Sequence, residues 1–330
     1  MHFLLPLAFA VSPTLGLEIG WPWLTLLLSV FLLPLLEWIA QKNPSSVRST
    51  SQWGSWFPRA VMLGVIVQCL GLVFIAQEQS WLNLLWLAGS TGYVAGAIGI
   101  VLAHELAHRR AFIDKALARV LLLSVAYGHY AIEHNRGHHR AAATYPDPAT
   151  ARREESLWRF LPRYYSGVFT ESLKLSQAMP GKINETWALM AVTTCLFIAA
   201  TLIAGWKGCL FFIVQAAVAQ LLVGAVDYAE HWGLVRQTEN GKPERMGPQH
   251  IWDCNNAIAD AILFNLPRHA NHHLQPSRNC DELMHTPASP QMPTGYAGMV
   301  LLTFIPPLYK KIMTPRLPAN SISMRDQHGS

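Results

Sequence analysis

Charge is what this sequence has least of. Charged residues fill 14% of its 330 positions while hydrophobic ones fill 51%, whereas a soluble globular chain carries nearer a quarter charged. An ordinary soluble domain is thereby disfavoured, and an integral membrane protein becomes the first reading. Cysteine is scarce too. Cys69, Cys195, Cys209, Cys254 and Cys280 are scattered without a C-x-x-C, which leaves neither a disulfide framework nor a thiolate metal site. There is no Gly-rich dinucleotide fingerprint. The net charge of +5 would suit a nucleic-acid partner only if the basic residues were gathered on one soluble face.

What is present is a series of apolar stretches. A hydrocarbon core of ~30 Å takes about 20 apolar residues in helix, and six segments approach that: 3–17, 21–40, 58–76, 81–103, 185–205 and 208–228. The first lacks the basic start and small-residue cleavage site of a secretion signal and is expected to form a hairpin with the second. Stretches 117–132 and 297–309 are shorter or broken by proline. With six spans, 24 of the 25 Lys and Arg residues fall on one side and only Lys207 on the other. That asymmetry places segments 104–184 and 229–317 in the cytoplasm with both termini. It also accounts for the basic pI by topology, so no nucleic-acid partner is expected. Residues 318–330 are expected to be a disordered tail.

The chain has 14 histidines, and nine lie in four boxes on the cytoplasmic side. "HELAHRR" puts His104 and His108 at i and i+4, on one helical face and in reach of one ion. "EHNRGHH" repeats that spacing in His134 and His138, with His139 turned to a neighbouring direction, so one helical turn can serve two ions. "DYAEHWG" adds His231, and "RHANHH" adds His269, His272 and His273. Each box has a plainer reading: HExxH alone is a weak zinc-protease signature with Glu105 as base, and a lone His231 suits a membrane boundary. Four boxes on one membrane face point instead to a metal centre.

Nine imidazoles exceed the four ligands of a tetrahedral zinc site, whereas two ions would take four or five each. An open imidazole-rich set suits redox iron, with copper the lesser choice, and oxygen activation as the task. Glu105, Glu133 and Glu230 each adjoin a box histidine and are candidates to orient one. The plainer alternative is that they pair with Arg109, Arg136 or Arg140.

These boxes resemble the four histidine motifs of the integral-membrane alkane 1-monooxygenases, within the superfamily of membrane fatty acid desaturases and hydroxylases. The resemblance extends to "TYPDPATARREESLWRF", "HIWDCNNAIADAILFNLPRH" and "LMHTPASPQMPTGYAGMVLLTFIPPLYKKIMTPRL", covering about residues 95–317. It implies an all-α integral membrane fold, a six-helix transmembrane bundle with a cytoplasmic histidine-rich cap in the bacterial inner membrane, holding two non-haem irons through all nine histidines. It further implies insertion of one atom of dioxygen into the terminal C–H bond of a medium-chain n-alkane, the other atom leaving as water. Electrons would come from rubredoxin or ferredoxin and an NAD(P)H-dependent reductase.

The chain departs from the family pattern at five positions. The third box usually begins with Asn and has Tyr after the histidine, where this chain has Asp227 and Trp232. The fourth usually carries Gln and a Ser-Asp pair, where Pro267, Ala270 and Asn271 stand. These changes put the substrate in question, since related enzymes act on xylene methyl groups or fatty acids. The substrate route is expected to open from lipid, with Trp21, Trp23, Trp38, Trp81 and Trp86 as interfacial anchors or chain-length limits. Glu37 is expected near the cytoplasmic end of its span, compensated by Lys42. Two other classes remain: an intramembrane zinc protease, and a non-enzymatic iron- or haem-binding membrane protein.

Overall fold

The computed structural model describes residues 4–41, 56–177, 183–239 and 241–318. Lys42, Arg48 and all of the expected tail but Pro318 lie outside the described residues. The described chain is mostly helix. Helices α1 (Leu4–Glu18), α2 (Leu24–Ala40), α3 (Trp56–Gly71) and α4 (Trp81–His108) are followed by α5 (Phe112–Ser124) and a helical stretch α6 over 130–141. Then come α7 (Leu157–Gln177), α8 (Glu185–His231), α9 (Ala257–Ile262), α10 (His269–Leu274), α11 (Tyr296–Thr303) and α12 (Pro306–Met313). A two-stranded antiparallel ladder, Thr238–Glu239 with Lys242–Pro243, is a minor addition to the all-helical expectation.

Among the described residues two helices, α4 and α8, are long and apolar enough to cross a membrane, and α1, α2 and α3 are shorter apolar helices. At 1.5 Å per residue the 28 residues of α4 reach about 42 Å. Helix α8 has 47 residues and one charged side chain, Lys207, between Thr186 and Val226. It is broken at Ala204 and Gly205, where Gly205 takes a φ of +57°, a conformation glycine adopts at little cost. The break falls at the junction of the stretches 185–205 and 208–228. Beside it, Lys207 Nζ donates to the carbonyls of Gln77 and Gln79 in the connection between α3 and α4.

Helices α4 and α8 meet through small residues. A Cβ at Gly92 would stand 2.4 Å from the Gln215 carbonyl oxygen, and one at Gly96 would stand 2.8 Å from that of Ala219. The glycines, four apart, let the two backbones touch, as in helix pairs that cannot use water exclusion to associate. The buried Gln215 ties three helices together by donating to the carbonyls of Cys69 and Ser124 at 3.1 and 3.3 Å.

Glu37 is buried at the end of α2. Its carboxylate accepts from the backbone N–H groups of Ala297 and Gly298, both at 3.0 Å. These are unsatisfied donors in the first turn of α11, where a helix favours negative charge. A helix N-terminus thus compensates Glu37; the expected partner Lys42 lies outside the described residues. Gly295 makes room for it, since a Cβ there would fall 2.3 Å from Glu37 Cδ.

Candidate metal centre

The four boxes sit at one end of the bundle. Helix α4 ends on His104 and His108, α8 ends on His231, α6 carries His134, His138 and His139, and α10 carries the last three. Seven of the nine rings are buried, and His108 and His139 are half-buried. Their Nε2 atoms face one another. His134 and His139 stand 3.0 Å apart, His139 and His272 3.3 Å, His269 and His273 3.0 Å, His138 and His273 3.3 Å, and His231 and His269 3.3 Å.

Neutral imidazole has one lone pair and one N–H, so a whole set of facing Nε2 atoms cannot be satisfied by donating to one another. Both ring nitrogens of His104, and Nε2 of His108, are buried without a hydrogen-bond partner. Donors held 2.0–2.1 Å from one ion and at right angles are about 3 Å apart, so the spacing fits metal ligation. The groups separate: His104, His108, His134, His139 and His272 form one, His138, His231 and His273 a second, and Glu230, His231 and His269 a third sharing His231 with it. Burial, and after it the neighbouring rings, holds the pKa values of His134, His139, His269, His272 and His273 well below the usual 6.5. That keeps them neutral, the form a metal needs.

One expectation is changed by geometry. His134 shares its group with His139, and His138 belongs to the other, whereas the i, i+4 spacing paired His134 with His138. The backbone over His134–His138 is a π-helix, whose wider turn bonds i to i+5 and so shifts the side chains from α-helical register. One turn still serves both groups. Helix α10 divides likewise, with His269 and His273 on one side and His272 on the other.

The three glutamates have separate fates. Glu230 Oε2 lies 3.2 Å from His269 Nε2, at ligand spacing, and Oε1 accepts from the Tyr296 hydroxyl at 2.6 Å. Glu105 Oε1 instead accepts from Arg109 and from the Cys280 backbone N–H. Glu133 is buried with Oε1 unpartnered, and burial raises its pKa to about 8.

Sequence reasoning did not single out Asp147, whose two oxygens both lie 3.1 Å from His138 Nδ1 while Oδ2 accepts from Thr150. Nor did it single out Asp253, Asp260 and His285. His285 Nε2 is 3.0 Å from Asp260 Oδ2, which also accepts from Arg268 beside the fourth box. Asp253 accepts from the backbone of Ala270 and Thr286. Among the departures, Asn271 Oδ1 accepts from the Met284 N–H and the Pro267 carbonyl from that of Cys254. Trp232 is buried edge-on to Tyr309, and Asp227 accepts from the Tyr164 hydroxyl at 2.5 Å.

An apolar cavity ends on these rings. Its walls include Phe9, Leu33, Ile100, Leu222, Val226, Ile262 and Val300, and its floor includes His104, His134, Asp227, Glu230 and His269. None of Trp21, Trp23, Trp38, Trp81 and Trp86 lines it. Trp21, Trp38, Trp81 and Trp86 are 40–57% exposed, as interfacial anchors are.

Residues 79–302 match the family model described as fatty acid desaturase. The chain belongs to that family. Within it, the chain is similar to alkane 1-monooxygenase 2 of Pseudomonas aeruginosa, with 33% identity over 91% of this chain and 85% of the relative. It is 38% identical to alkane 1-monooxygenase 1 of the same organism, over 78% of this chain and 70% of the relative. The hydroxylase component of a Pseudomonas putida xylene/toluene monooxygenase is 25% identical over 96% of this chain and 88% of its own length. These matches place the chain among the alkane 1-monooxygenases of the desaturase family, as an oxygen-dependent oxidoreductase of the membrane.

Proposed function

We propose that the chain is a non-haem di-iron alkane 1-monooxygenase that converts medium-chain n-alkanes to 1-alkanols with dioxygen. The observation that carries this reading is an apolar cavity closed at one end by facing imidazole Nε2 atoms from four separate segments. His104, His108, His134, His139 and His272 would hold one ion, and His138, His231, His269 and His273, with Glu230 beside them, the other. Bound iron supplies the activation of dioxygen. The chain supplies the rest: the walls take a hydrocarbon from lipid, exclude water and set its methyl end against the rings. Tyr296 holds the Glu230 carboxylate by its hydroxyl, and Asp147 fixes the ring of His138.

In this reading the apolar segments of α1 to α4 and the two arms of α8 make six spans of a bacterial inner membrane. The bend of α8 and the α3–α4 connection lie outside, and the histidine cap and both termini lie in the cytoplasm. Rubredoxin or ferredoxin with an NAD(P)H-dependent reductase delivers the electrons, since the sequence has neither a dinucleotide fingerprint nor a cysteine cluster. A second reading, oxidation of aromatic methyl groups, is favoured only by the xylene/toluene relative, which is less similar than the alkane enzymes.

The test is an assay of detergent-purified protein with rubredoxin, reductase and NADH, offering octane, a xylene and a fatty acid in parallel. Formation of 1-octanol as the main product is expected. Turnover of xylene alone would transfer the assignment to aromatic methyl oxidation.

A further inference from the structure

A row of tyrosine rings starts at the metal centre and returns to the floor of the apolar cavity. Tyr130 lies against the ring of His134, with centroids 5.1 Å apart and planes at 30°. Tyr127 stacks on Tyr130 at 5.0 Å and 25°. Tyr165 follows at 6.4 Å from Tyr127, and Tyr164 at 5.2 Å from Tyr165. Tyr127, Tyr130 and Tyr164 are buried. At its other end the Tyr164 hydroxyl donates to Asp227 Oδ2, on the cavity floor.

Packing alone asks only for rings of this size, and phenylalanine would serve without a buried hydroxyl to satisfy. Phenols differ from phenylalanine in being readily oxidised by one electron. In an apolar interior that loss is feasible only if the phenolic proton leaves at the same time, because the cation radical of a phenol is a strong acid. Tyr164 has the required base in hydrogen-bond contact. An amide in place of Asp227 would not take the proton.

We propose that Tyr164 and Asp227 form a redox-active pair, joined to the metal centre through Tyr165, Tyr127 and Tyr130, that removes oxidising equivalents when no hydrocarbon is present to consume them. The inference rests on the oxygenase reading, which supplies the oxidant, an oxidised non-haem iron centre generated with dioxygen. The Tyr164 O–H bond breaks and its proton forms an O–H bond on Asp227. The electron would tunnel across the three other rings, which keep their own protons, to the edge of His134, and would reduce iron held there by one electron. Tyr164 is left as a neutral radical. An electron from the external carrier and the proton from Asp227 restore it. The nine imidazoles are spared.

The test uses the iron-loaded full chain, reduced and then exposed to dioxygen without hydrocarbon, followed by freeze-quench electron paramagnetic resonance and peptide mapping of oxidised residues. A tyrosyl radical is expected in the wild type, with its hyperfine pattern narrowed in protein grown on deuterated tyrosine, a check that needs no substitution. Tyr164→Phe and Asp227→Asn should each lose most of that signal while retaining iron, and oxidation of the box histidines should rise several-fold. Wild-type protein that makes 1-octanol from octane yet gives no tyrosyl signal would overturn the inference and leave the proposed function standing. A signal and histidine oxidation unchanged in both variants would overturn it as well. Protein that binds no iron would overturn both.

Discussion

Asp147 shows what a single side chain does for the metal centre. With both oxygens 3.1 Å from His138 Nδ1, it sets the tautomer that leaves Nε2 free to face His273. Asp147→Asn should therefore lower iron content or turnover about 10- to 100-fold, the usual effect of losing such a partner, measured by metal analysis and product formation. His231→Ala should be harsher, because His231 is the ring shared by two of the ligand groups; full iron and activity in that variant would remove it as a ligand. Eight of the nine histidines stood out because they share boxes of two or three, and His231 stood out only beside those boxes. Asp147 did not, because it reaches His138 across a turn after α6, and nothing in "TYPDPAT" marks one polar residue as inward-facing. Glu105 shows the reverse. Adjacency to His104 suggested a partner for a ligand, yet Arg109 one turn on and the Cys280 N–H take its carboxylate.

Among the elements, the π-turn over His134–His138 decides which ring serves which group. The same letters read as an ordinary α-helix give another pairing, so sequence spacing alone could not reveal it. The contact between α2 and α11 has a similar character. Gly295→Ala would drive a Cβ into Glu37 and separate the carboxylate from the first turn of α11. A loss of about 1–3 kcal/mol is expected, as for other overpacked sites, measured as a lowered midpoint of thermal unfolding in detergent. Behind α10, burial tends to lower the pKa of His285, but its hydrogen bonds to Asp253 and Asp260 outweigh this and raise it to about 9. A raised pKa means stability that is complete below the unfolded value of about 6.5 and lost as pH rises through about 9. The wild type should lose on the order of 2 kcal/mol between pH 6.5 and 9 that His285→Gln does not lose. The check is a pair of unfolding midpoints across that range; parallel decline of the two proteins would contradict it.

For the whole molecule, composition and the one-sided distribution of Lys and Arg gave the membrane reading, and the apolar stretches became helices. Hydropathy could not show how helices assemble around a space, because the cavity walls come from α1, α2, α4, α8, α9 and α11 together. It likewise could not tell wall residues from lipid-facing ones, and none of the five tryptophans proposed as chain-length limits faces the cavity. The walls that do face it, such as Val226 and Ala97, give a prediction. Val226→Phe should shorten the preferred alkane by several carbons, read as the ratio of 1-hexanol to 1-decanol from mixed substrates; an unchanged ratio would place the substrate elsewhere. The central claim, that nine histidines from four segments hold two irons, is tested most directly by counting metals in the purified full chain. About two irons per chain is the expected result. One zinc per chain, with iron absent, would contradict it.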